Sequence, residues 1–160
     1  MNIAVVDGQG GGIGRAIVEK VKAALPEHRI IALGTNSAAT GQMMKAGADD
    51  GATGENAIVY NMQQVDIVCG VLGILNANAM MGELTPKMAE AIGGTRAYKV
   101  LLPLNKCHIH VVSVEDLTLS QHIVDLSQTY NGSHSGVTHT QVVVLELIYG
   151  RIELHKTNTS

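Results

Sequence analysis

Three glycines spaced as Gly8-x-x-x-Gly12-Ile13-Gly14, directly behind the apolar run Ile3–Val6, have the types and spacing to hold a phosphate. The chemistry would be borne by the backbone, because the first turn of a helix offers free N–H groups to an anion. Gly8 is expected to turn with φ > 0, Gly12 to let the chain approach a pyrophosphate, and Gly14 to let the helix pack close to the strand. Asp7, Gln9, Gly10, Gly11 and Ile13 complete the cradle. No G-x-x-x-x-G-K-[ST] occurs, which argues against a nucleoside-triphosphate P-loop. A methyltransferase loop also follows a strand ending in an acid, but its D-x-G-x-G spacing fails at Gln9.

Other candidates lie at the ends of later apolar runs. Gly34, Thr35 and Asn36 close the second run, where dinucleotide sites place an acid for the 2′-hydroxyl of NAD or an Arg for the 2′-phosphate of NADP. This segment has neither, and its neutral donors lean towards NADP. Gly70 opens the loop after the third run. Glu55 and Asn56 stand in a glycine-flanked loop, where a carboxylate can act as general base and an amide can hold an oxyanion. The plainer reading puts Thr53 and Glu55 at a helix start, where negative charge complements the dipole. Glu83 and Lys87 beside Thr85-Pro86 read as structural. Lys106 and His108 follow the fourth strand at the expected ligand edge, with Cys107 between them, while Cys69 reads as a small buried side chain. Cys107, His108 and His110 form no zinc spacing, so no metal is expected.

These residues need a scaffold. Strands are expected at Ile3–Val6, Arg29–Leu33, Val65–Cys69, Lys99–Leu104 and Ile109–Val114. Between them, helices are expected with Ile13, Ala16, Ile17, Val21 and Ala24 on one face, from an N-cap at Ser37 through Met43 to a stop at Gly47, and from a cap at Thr53 through Ile58 and Met62. A further helix should start at Thr85-Pro86, with Met88, Ala89, Ala91 and Ile92 apolar, and another should span about 116–130. Residues 48–56 read as a polar loop. The alternation predicts an α/β fold, a three-layer Rossmann-like sandwich with a mostly parallel sheet occupying residues 1–130. Residues 131–160 read as a linker, a β-rich extension and a disordered tail. The extension should pair within the fold or across a homodimer.

Composition narrows the classes. The 160 residues contain 18 Gly and no Phe or Trp, so the core must be aliphatic, which suits a covered parallel sheet. A net charge of −3 offers no footprint for nucleic acid, and four tyrosines offer few stacking platforms for bases. No apolar stretch reaches the ~20 residues of a membrane span, and no signal pattern opens the chain, so no membrane contact and a cytoplasmic location are expected.

The glycine turn is similar to the T-G-x-x-x-G-I-G fingerprint of short-chain dehydrogenases, with Asp7 in place of the Thr. Their catalytic Tyr-x-x-x-Lys is absent, since Gln64, Leu102, His134 and Glu153 stand four residues after the four tyrosines. More of the chain, roughly residues 1–115, resembles a small, uncharacterised family of bacterial Rossmann-like proteins known only as a domain of unknown function. The resemblance rests on Val6–Gly14, Ile31–Asn36, Gly51–Ala57 and Gly82–Ala89. It implies a Rossmann-like fold and brings no established activity or catalytic residues; the stretch after Asn131 does not match the pattern. Two readings follow. One is an NAD(P)-type dinucleotide-binding protein, an oxidoreductase with nonstandard catalytic residues. The other is a noncatalytic module, a nucleotide sensor or oligomeric scaffold.

Overall fold

Successive residues of the first strand serve opposite cores. Ile3 and Val5 pack with Val18, Val21 and Met43, whereas Ala4 and Val6 pack with Ile58, Leu84, Met88 and Ile92. A strand buried on both faces reads as an unbroken apolar run, and this is the reason Ile3–Val6 shows no alternation. The computed structural model describes residues 1–104, 109 and 111. In chain order its elements are β1 (Asn2–Asp7), α1 (Gly12–Ala24), β2 (Arg29–Gly34), α2 (Ser37–Lys45), β3 (Asp50–Thr53), α3 (Glu55–Asn61), β4 (Ile67–Val71), α4 (Pro86–Gly94) and β5 (Tyr98–Leu102). All strand pairs are parallel, in the order β3-β2-β1-β4-β5. Helices α1 and α2 cover one face, and α3 and α4 cover the other.

The chain leaves β1 towards β2 and β3, then crosses back to β4 on the other side. Loops after β1 and β4 therefore diverge, and a crevice opens between them at the carboxyl ends of the strands. Among the described residues no helix is long and apolar enough to cross a membrane.

Several elements differ from expectation. Residues 50–53, read as loop, form the edge strand β3 in register with Ile31–Gly34. Asp, Gly and Ala are weak strand formers, and here pairing on the open edge of β2 overrides propensity. Arg29 Nε to Asp50 Oδ2 (2.7 Å) and the Thr40–Thr53 hydroxyl pair (2.7 Å) hold it there. Thr53 is thus occupied, and Gly54 with φ 95° opens α3 in its place. Asn36, not Ser37, caps α2, accepting from the Ala39 N–H at 2.9 Å. Helix α1 buries Gly14, Val18 and Val21, so its buried stripe is rotated from the expected one, with Ile13 and Ile17 at the flanks. Strand β4 begins two residues late, because Asp66 turns to accept from the Asn2 N–H at 2.7 Å. Gly70 is therefore a strand residue paired with Leu101.

Helix α4 starts as expected. Thr85 Oγ1 accepts from the Met88 N–H (3.2 Å) and Pro86 takes the first helical position. Of the strand expected at 109–114 only Ile109 and Val111 are described, and the helix at 116–130 and the extension at 131–160 lie outside the described residues.

Candidate functional site

The glycine turn is built less from free rotation than from crowding. Its left-handed residues are Gln9 (φ 51°) and Gly11 (φ 70°), not Gly8 as expected, and the Gly11 N–H closes the turn on Gly8 O at 3.0 Å. Gly8 is required because a Cβ there would lie 2.5 Å from Thr35 Oγ1 and 2.6 Å from Met80 Sδ. Gly14 has the role expected of it, since its Cβ would meet Asp7 Cβ and Met43 Sδ, both at 2.6 Å. At Gly10 and Gly12 a Cβ meets nothing within 4 Å. Those two positions face open space.

Beside the turn lies a cavity of about 240 Å³, walled by Asp7–Ile13, Val71, Met80 and Leu104. It sits at the crevice where the strand order reverses. Of the other expected cradle residues, Gly34, Thr35, Asn36 and Gly70 do not line it. Gly34 and Gly70 are close-packed strand positions: a Cβ at Gly34 would meet Asn36 O at 2.6 Å, and one at Gly70 would meet Val6 O at 2.8 Å. A larger open groove of about 750 Å³ lies between α3 and α4 near Val65 and Ala97, at the amino ends of β4 and β5. That is the edge away from the one where parallel sheets hold ligands.

Two carboxylates shape the electrostatics. Asp7 is buried, with Oδ1 accepting from the Gly8 N–H (2.8 Å) and Oδ2 from the Gly14 N–H (2.6 Å). It takes one N–H of the first turn of α1, while those of Gly12 and Ile13 have no acceptor within the helix. The second carboxylate, Glu83, comes from the segment between β4 and α4. Its Oε2 accepts from the Gln9 N–H (2.8 Å), Thr35 Oγ1 (2.7 Å) and Asn36 Nδ2 (2.8 Å). The Gln9 N–H first, then the Thr35 hydroxyl, hold the Glu83 carboxyl below its ordinary range, against a smaller opposing effect of burial. Reasoning from sequence treated Glu83 as structural and missed it here. The donors Thr35 and Asn36 were legible, but the acid they bind is distant along the chain.

This depressed value has a consequence for stability. A carboxylate whose folded pKa lies below its unfolded one stabilises the fold fully above the unfolded value, and that contribution is lost as pH falls through the folded value. Unfolding midpoints should therefore decline below about pH 4.3, and Glu83→Gln should flatten part of that decline in urea titrations across pH 2–6. An unchanged slope would remove Glu83 from the acid-sensitive contacts.

The remaining candidates sit elsewhere. Glu55 Oε2 accepts from Thr85 Oγ1 at 2.6 Å and Glu55 Oε1 lies 3.6 Å from Lys87 Nζ, tying α3 to the start of α4. Asn56 is exposed on α3. Cys69 is buried, and burial pushes its thiol up to about 12, leaving it a packing residue. Lys106, Cys107, His108 and His110 lie outside the described residues.

Residues 2–134 match the family described as "Domain of unknown function (DUF3842)". The chain belongs to that family. The match extends past the 1–115 span of the resemblance, so the family pattern takes in the region beyond β5 as well. No curated protein and no solved structure matches the chain. Within the family's span lie the glycine turn, the Thr35-Asn36 donors and Glu83 alike.

Proposed function

We propose that this chain is a Rossmann-like nucleotide-binding protein, whose turn at Gly8–Gly14 receives the phosphates of an NAD(P)-type dinucleotide. The observation that carries this reading is the 240 Å³ cavity walled by backbone of the turn, at the point where the strand order reverses. The strand order 3-2-1-4-5 of the described residues is also that of five of the six strands of dinucleotide-binding sheets. The lean to NADP loses its basis, because Thr35 and Asn36 already donate to Glu83 and a 2′-phosphate would meet that carboxylate.

A noncatalytic sensor or scaffold is the second reading, and one observation favours it. Glu55, the candidate general base, is held by Thr85 and faces Lys87 rather than lining the cavity. Calorimetry with NAD, NADP, ADP and S-adenosylmethionine tests the first reading. The protein should bind NAD, NADP or ADP, and Gly12→Val should weaken that by roughly tenfold or more, because it adds bulk at the cavity wall where nothing in the fold resists it. A folded protein that binds none of the four would end the cofactor reading.

A further inference from the structure

We propose that Glu83 is an intramolecular competitor for the phosphate site: a phosphate-bearing ligand displaces its carboxylate from the Gln9 N–H and lifts the 80–83 tip off the glycine turn. This rests on the phosphate-site reading above. Three donors of different kinds, a backbone N–H, a hydroxyl and an amide, converge on the single oxygen Oε2 within 2.7–2.8 Å. Such neutral donors suit a phosphate oxygen as well as a carboxylate one, and Gln9 is the one of the three that also walls the cavity, so there a ligand phosphate and Glu83 want the same N–H. Both cannot use it, because two anions at hydrogen-bonding distance repel strongly at the edge of a protein.

The segment carrying Glu83 holds strained backbone. Asn78, Met80, Met81 and Gly82 all have positive φ (64°, 58°, 60° and 89°), and left-handed conformations are unfavourable for the two methionines. The tip is held down by the Glu83 carboxylate on Gln9, Thr35 and Asn36, and by Met80, which forms part of the cavity wall and packs against the core. Met81 beside them is 97% exposed. The base is fixed, because the Asn78 N–H donates to Leu84 O at 2.8 Å and Leu84 is fully buried. Ala79 is likewise buried in the core, so only residues 80–83 can lift, and Met80 gives up its core contacts when they do. Releasing Glu83 would free the Gln9 N–H and the Thr35 hydroxyl together, while the Asn36 amide keeps its bond to Gln9 O.

ADP and inorganic pyrophosphate are the probes, with the full chain and its Glu83→Gln and Glu83→Ala variants, read by calorimetry and by hydrogen exchange of the 80–83 amides. Glu83→Gln is nearly isosteric, and a thermal melt establishes that each variant folds. Removing the competing charge should tighten ADP binding by about tenfold in Glu83→Gln. Saturating ADP should speed exchange of the tip in the parent protein, and Glu83→Ala should show fast tip exchange without ADP. Equal affinities in all three proteins, weaker binding by Glu83→Gln, or tip exchange indifferent to ADP would overturn the competition and leave the phosphate site standing. No binding of either probe by any of the three would remove the phosphate-site reading, and this inference with it.

Discussion

Replacing Gly14 by valine is expected to lower stability by roughly 3 kcal/mol, from overpacking and from a disturbed charged hydrogen bond. The new Cβ would stand 2.6 Å from both Asp7 Cβ and Met43 Sδ, so either α1 lifts from β1 or Asp7 moves. Lifting the helix stretches the 2.6 Å bond from the Gly14 N–H to Asp7 Oδ2, and the two effects compound. The contrast is Gly12→Ala, two residues away in the same turn of helix, where a Cβ meets nothing within 4 Å. Loss of unfolded-state freedom should make that change neutral or stabilising, by up to about 1 kcal/mol. Urea unfolding would show a lower midpoint for Gly14→Val at unchanged slope and an equal or higher one for Gly12→Ala. Equal midpoints would mean that close packing does not explain Gly14.

Asp7→Ala should cost about 3 kcal/mol, since the N–H groups of Gly8 and Gly14 both lose a charged, buried acceptor. Part of that loss is electrostatic, because a carboxylate at the amino end of α1 complements the helix dipole. Asp7→Asn keeps one acceptor oxygen and should fall between the parent and Asp7→Ala. A loss below about 1 kcal/mol for Asp7→Ala would show that the turn keeps its shape without the carboxylate. The same residue marks the difference from the short-chain dehydrogenase fingerprint that the turn resembles: where a neutral Thr is usual there, this chain sets a buried carboxyl group beneath its glycine turn. The Gly14 N–H is taken by that carboxyl group, which leaves those of Gly12 and Ile13 as the first-turn N–H groups with no acceptor within the helix.

Sequence and structure divided the work by distance along the chain. The β1–turn–α1 unit, the start of α4 at Thr85-Pro86, the parallel α/β class and the burial of Cys69 were all legible, because each rests on neighbouring residues: an unbroken apolar run, glycines before a helix, a hydroxyl before a proline. Strand β3 was not, since Asp50–Thr53 has little tendency to extend until β2 offers an unpaired edge. The roles of the glycines were legible only in part. Gly14 was read correctly, but the left-handed φ fell on Gln9 and Gly11, because Thr35 and Met80, from two later loops, decide how the chain passes Gly8.

Glu83 is the clearest case. It is 74 residues from the Gln9 N–H that binds it, and no local pattern separates it from an ordinary acid near a helix start. What the sequence determined by itself was a glycine turn joining a buried strand to a helix at one end of a parallel sheet, since that depends on local conformation. Which charges surround the turn was decided by the tertiary structure alone, because a hydrogen bond between distant loops exists only once the sheet has set them side by side.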